Sequence, residues 1–132
     1  MSVSARTVLL VEDEPLVLRS TADLLAYEGY RVLEACSYEE ALSCLDECPD
    51  VAAMVTDIGI AGEQDGIALT RAVRQRCPHV RIVLVSGRTR PRSDQYPPDA
   101  IFFTKPYAPS ALMTIIRQSI AGELEPRTPA LA

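Results

Sequence analysis

Val51-Ala52-Ala53-Met54-Val55-Thr56-Asp57 is an uncharged, largely apolar run that closes on a carboxylate. Two other apolar stretches also end in charge: Val8-Leu9-Leu10-Val11 in Glu12-Asp13, and Ala100-Ile101-Phe102-Phe103-Thr104 in Lys105-Pro106. A run that is apolar throughout suits a parallel strand covered on both faces. If the three runs are neighbouring parallel strands, the carboxylates of Glu12, Asp13 and Asp57 meet the Lys105 ammonium at one sheet edge. The 13 basic residues are 12 arginines and one lysine, Lys105. A chain that writes arginine everywhere else needs a compact ammonium at that position rather than a planar guanidinium.

Working outward from these runs, strand-length apolar segments alternate with stretches of helical period, the pattern of repeated βαβ units. The first strand is expected over Thr7–Val11. Pro15 opens a helix where its missing N–H costs nothing, with Val17, Leu18, Thr21, Leu24 and Leu25 on one face and Gly29 as its stop. A short strand over Arg31–Ala35 precedes a capping-box pattern, Ser37 with Glu40, and a helical face of Ala41, Cys44, Leu45 and Cys48 ended by Pro49. The third strand is expected over Val51–Thr56, followed by a loop over 58–64. Asp65 caps a third helix carrying Leu69, Ala72, Val73 and Arg76, stopped at Cys77-Pro78. The fourth strand is expected over Val80–Val85, the fifth over Ile101–Thr104. A last helix opens at Pro109, with Leu112, Ile115, Ile116, Ser119 and Ile120 inward.

Between the fourth and fifth strands, residues 88–99 carry almost no apolar stripe and include Pro91, Pro97 and Pro98, so a helix there should be short, irregular or absent. Its arginines, Arg88, Arg90 and Arg92, would line a rim beside the acidic edge, with Arg88 within reach of a bound phosphate. After Gly122 the composition turns to Glu, Pro, Thr and Ala, so residues 1–122 read as one domain and 123–132 as a flexible tail.

The bulk numbers exclude several classes. At 132 residues the chain has room for one core and no second module. A net charge of -5 argues against nucleic-acid binding, which requires a basic face. No run approaches the ~20 apolar residues of a membrane span, and nothing resembles a signal peptide, so no membrane partner and a cytoplasmic setting are expected. Cys36, Cys44, Cys48 and Cys77 match no zinc spacing, and His79 is a lone loop histidine. We read the four as reduced core thiols.

Clustered carboxylates raise one another's pKa unless they share a cation. Mg²⁺ suits Asp13 and Asp57, because it takes oxygen ligands, keeps waters and prefers one or two carboxylates together with a phosphate. An aspartate beside Mg²⁺ and a lysine is also a nucleophile toward phosphorus.

In order and placement, Glu12-Asp13, Asp57, Ser86-Gly87 and Lys105-Pro106 resemble the receiver domains of two-component response regulators, over roughly Thr7 to Gly122. The resemblance implies a flavodoxin-like α/β fold, (βα)5, with a doubly wound parallel sheet in the order 2-1-3-4-5. It implies that Asp57 takes a phosphoryl group from a sensor histidine kinase or a histidine phosphotransfer protein. Mg²⁺ would be held by Asp13, Asp57 and the Gly59 carbonyl, with Glu12 assisting through water. Lys105 would pair with Asp57 and then with the phosphate, Ser86 would move with the phosphate, and Phe102 would be the aromatic switch. Such a module is not an enzyme beyond its own phosphorylation and dephosphorylation. It would control an unknown downstream protein, and homodimerisation on phosphorylation fits it too. The loop after Asp57 departs from the family pattern, with Ala61 where proline is usual and one residue more than in chemotaxis-type receivers, which resembles receivers attached to hybrid kinases.

Three other functions fit these residues less well. A small-molecule phosphatase of the haloacid dehalogenase type would need a second aspartate where Gly59 stands. A flavodoxin-like nucleotide binder would need a phosphate loop where Glu12-Asp13-Glu14 repels phosphate. The alternative is a receiver fold acting as a phosphorylation-independent docking module, against which the complete acidic site argues.

Overall fold

The computed structural model describes residues 6–60, 65–87, 91–92, 94–105 and 107–122. Five parallel strands, β1 (Thr7–Val11), β2 (Arg31–Ala35), β3 (Ala53–Asp57), β4 (Arg81–Ser86) and β5 (Ile101–Thr104), form one sheet in the order β2-β1-β3-β4-β5. The helices are α1 (Pro15–Tyr27), α2 (Tyr38–Glu47), α3 (Gly66–Arg76) and α4 (Pro109–Ala121). This is the flavodoxin-like doubly wound arrangement, in which functional loops gather at the carboxyl ends of the strands. Among the described residues no helix is long and apolar enough to cross a membrane.

Alternation along each strand divides the core in two. Val8, Leu10, Val55, Val83, Val85, Ile101 and Phe103 face α1 and α4, while Leu9, Met54 and Ile82 face α2 and α3. Burial of each such side chain contributes roughly 1.5–3 kcal/mol. The last helix buries Leu112, Ile115, Ile116 and Ser119 as its spacing predicts, and Gly122 ends it at φ 77°. The left-handed turn at Gly29, φ 100°, ends α1.

Several expectations need correction. The inward stripe of α1 is Leu18, Ala22 and Leu25, whereas Val17 and Leu24 are 37% and 38% exposed. The small Ala22 lets the helix approach the sheet, and that contact rotates the larger residues toward the rim. Ser37 accepts from the Glu40 N–H at 3.1 Å as a cap should, but the Glu40 carboxylate reaches the N–H of Cys36 at 3.0 Å, one residue before the usual partner. The cysteines are all free, yet only Cys77 is buried, and Cys36 is exposed with its thiol 3.4 Å from both Glu40 oxygens. Strands β3 and β4 extend one residue further than expected at their carboxyl ends, which brings Asp57 and Ser86 into the ladder.

The described residues between β4 and β5 contain turns and bends but no helix. Tyr96 fills the gap by stacking on Phe102, ring centres 6.3 Å apart and planes 23° from parallel. Arg74 anchors the end of the segment. Its guanidinium meets Asp99 at 2.7 Å and donates to the carbonyls of Pro78 at 2.6 Å and Val80 at 2.8 Å. Arg88 and Arg90, residues 61–64 of the expected long loop, Pro106 and the expected tail over 123–132 lie outside the described residues.

Candidate functional site

The sheet register assembles the site. Val11 pairs with Thr56, Asp57 with Val85, and Ser86 with Thr104, so the residues at or just past these pairs, Glu12, Asp57, Ser86 and Lys105, fall along one edge. A hydrogen bond from the Lys105 N–H to the Ser86 carbonyl, 2.9 Å, carries the row past the end of β5.

At the centre, the Lys105 ammonium donates to Asp57 Oδ2 at 2.5 Å and lies 3.7 Å from Glu12 Oε1. Asp57 Oδ1 accepts from the Gly59 N–H at 3.1 Å, an Asx-type turn that fixes the carboxylate. Glu12 Oε2 accepts from the Glu14 N–H at 3.2 Å.

Burial pushes the Glu12 carboxyl up from its usual range, with the Asp57 and Asp13 charges adding to it, against the Glu14 N–H and Lys105. For Lys105, burial pulls the other way, but the hydrogen bond and charge of Asp57, with the charge of Glu12, more than offset it and raise its pKa. The ammonium is therefore held charged between two acids. Asp13 is exposed beside Glu12, and Ser86 is buried at the end of β4. Phe102 is half-buried and faces the α2–α3 side of β5, against Tyr96.

Among the described residues, no three His, Cys, Asp or Glu side chains gather into a metal cage. Glu12, Asp13 and Asp57 at and beside this edge offer oxygen donors only. Mg²⁺, which takes one or two carboxylates and fills its shell with water and phosphate, fits such a set on chemistry.

Sequence reasoning passed over Tyr107. It packs on Phe103, ring centres 4.9 Å apart, and with Glu12, Val17, Thr21, Asp57 and Lys105 lines a cleft of about 10 Å³, room for about one water. Its burial raises the phenol pKa, with Lys105 opposing and Glu12 and Asp57 adding. The signal was present as an aromatic two residues after the lysine.

Residues 8–117 match the family model described as response regulator receiver domain. The sensor kinase CckA of Brucella abortus is 35% identical over 118 residues, 86% of this chain and 12% of the kinase. The transcriptional activator protein ExaE of Pseudomonas putida is 34% identical over 122 residues, 87% of this chain and 55% of that protein. This chain thus spans about an eighth and about half of those relatives. The crystal structure of a response regulator receiver protein from Sinorhizobium medicae superposes with a TM-score of 0.84 at 28% identity, covering 93% of this chain and all of that one. A CheY-like receiver domain protein from Methanospirillum hungatei gives 0.81 at 25% identity, covering 91% and 97%. With the strand order, the match over nearly the whole sheet and these relatives in agreement, the chain belongs to the response regulator receiver domain family.

Proposed function

We propose that this chain is the phosphoacceptor of a two-component or phosphorelay system, taking a phosphoryl group onto Asp57 from the phosphohistidine of a sensor kinase or phosphotransfer protein. The observation that carries the reading is the Asp57–Lys105 pair beside Glu12 at the carboxyl edge of the sheet. An Asp57 oxygen attacks phosphorus, a P–O bond forms as the P–N bond to the donor imidazole breaks, and the leaving nitrogen takes up a proton. Gly59 and Lys105 hold the carboxylate in one orientation for that attack.

Mg²⁺ bound by Asp13, Asp57 and the Gly59 carbonyl, with Glu12 acting through water, would supply positive charge to the equatorial oxygens of the transferring group. Once Asp57 carries the phosphoryl group as an acyl phosphate, Lys105 turns from the carboxylate to the new phosphate, and the Ser86 hydroxyl donates to it. Phe102 then leaves its stack on Tyr96, so the β4–β5 segment carries the signal to a partner. The chain's chemistry is confined to its own phosphorylation and dephosphorylation.

Incubation with Mg²⁺ and acetyl phosphate, followed by intact mass, tests the reading. One acid-labile phosphoryl group is expected on the native chain and none on Asp57→Asn. A native chain that gains nothing would leave the phosphorylation-independent docking module in its place.

A further inference from the structure

Thr56 is completely buried, on the same face of β3 as Met54, which packs with Leu69 and Val73 of α3. A buried hydroxyl must find an acceptor. Its partner is the main-chain carbonyl of Asp57, 3.0 Å away. The same carbonyl meets α3 from the other side. A Cβ added to Gly66 would stand 2.1 Å from the Asp57 carbonyl oxygen and 2.8 Å from both its carbon and the Ile58 Cα. No side chain fits in that space without moving the backbone. The Gly66 N–H donates to the Ile58 carbonyl at 2.8 Å, and the Ile58 N–H to the Val85 carbonyl at 3.0 Å. The peptide unit that follows Asp57 thus bonds to β4 and to one hydroxyl and packs against Gly66, whose N–H holds the next peptide unit.

We propose that Thr56 and Gly66 are positioning residues for phosphoryl transfer, clamping the Asp57–Ile58 peptide so that the Asp57 carboxylate is aimed for in-line attack. The inference rests on Asp57 being the phosphoacceptor. Neither residue touches the reacting atoms. Their effect passes through the backbone to the Cα–Cβ bond of Asp57, and small errors of aim are costly in a reaction whose catalysis is mostly positioning. Gly66 supplies close approach with no need for a left-handed backbone. Thr56 supplies a directed hydrogen bond from a rigid β-branched side chain with a restricted χ1.

The test compares Thr56→Val, which keeps the shape and loses the hydroxyl, with Thr56→Ser, which keeps the hydroxyl and loses a methyl. Phosphorylation by acetyl phosphate in Mg²⁺ is followed by intact mass across donor concentrations, with thermal unfolding of each variant alongside. Thr56→Val should lower the maximal rate about tenfold, a tenth of what a 1 Å misplacement of reacting groups can cost. The donor concentration giving half the maximal rate should not change, and Thr56→Ser should restore the rate. Gly66→Ala should be slower than Thr56→Val where it folds. A Thr56→Val rate equal to native, or a Thr56→Ser rate as slow as Thr56→Val, overturns the clamp while native phosphorylation leaves the Asp57 assignment intact. Absence of phosphorylation on the native chain overturns both.

Discussion

Lys105 Nζ sits 2.5 Å from Asp57 Oδ2 although the two residues are 48 positions apart in sequence. Parallel register across β3, β4 and β5 makes the contact, so the pair reports both the fold and the state of the site. Lys105→Arg keeps the charge but replaces a compact ammonium with a planar fork. We predict that Mg²⁺ binding persists while the response to beryllofluoride falls about tenfold or more in population, the scale of one lost charge-assisted hydrogen bond. Backbone NMR shifts on adding beryllofluoride measure it, and native-like shifts in the variant would count against the role given to Lys105.

Glu12 gives a pH prediction. Its folded pKa lies above its ordinary value of 4.5, chiefly through burial. A group raised in this way contributes stability that is fully present below the unfolded pKa and lost as pH rises through the folded one. Glu12→Gln removes the loss, so in metal-free buffer the variant should be the more stable protein at pH 7, with the advantage vanishing below about pH 4 where the native carboxyl is protonated. Urea midpoints at both pH values check the sign. A variant less stable than native at pH 7 would show that the attraction of Lys105 outweighs burial.

Arg74 ties the end of the β4–β5 segment to the turn before β4. Arg74→Ala breaks its ion pair with Asp99 and strands the carbonyls of Pro78 and Val80. The expected cost is about 2–4 kcal/mol in urea unfolding, somewhat below that of a fully buried pair because the guanidinium retains some exposure. Hydrogen exchange should also quicken over Asp94–Ala100 more than over β4. In the native protein this segment should already exchange faster than the strands beside it.

Truncation after Gly122 tests the proposed boundary between a receiver over 1–122 and a tail over 123–132. Because α4 ends at Ala121 with Gly122 as its cap, unfolding free energy should change by less than ~1 kcal/mol, the usual limit of surface effects. A larger loss would mean that the tail docks.

Much of this was legible in the residues. Apolar runs of strand length such as Thr7–Val11, and punctuation by Pro15, Gly29, Asp65 and Gly122, are local signals, and they located the nine elements of the described residues and their order. The charged ends of the runs then grouped Glu12, Asp57 and Lys105, because parallel strands place their carboxyl ends together. What stayed hidden depended on contacts between elements. Ala22, not Leu24, faces the sheet because closeness of approach, absent from periodicity, selects the small residue. Glu40 caps Cys36 because the strand end before α2 turns its N–H toward that carboxylate. Gly66 and Thr56 looked like an ordinary helix start and strand residue, and only the backbone of Asp57 between them shows what they do.

The most direct test of the central claim is to trap the modified residue. After incubation with Mg²⁺ and acetyl phosphate, borohydride reduction converts an aspartyl phosphate to homoserine, and tandem mass spectrometry of the digested chain locates it. The account predicts homoserine at position 57 alone, lost when EDTA replaces Mg²⁺. Homoserine at position 13 or 65 instead, or at no position in a folded sample, would contradict it.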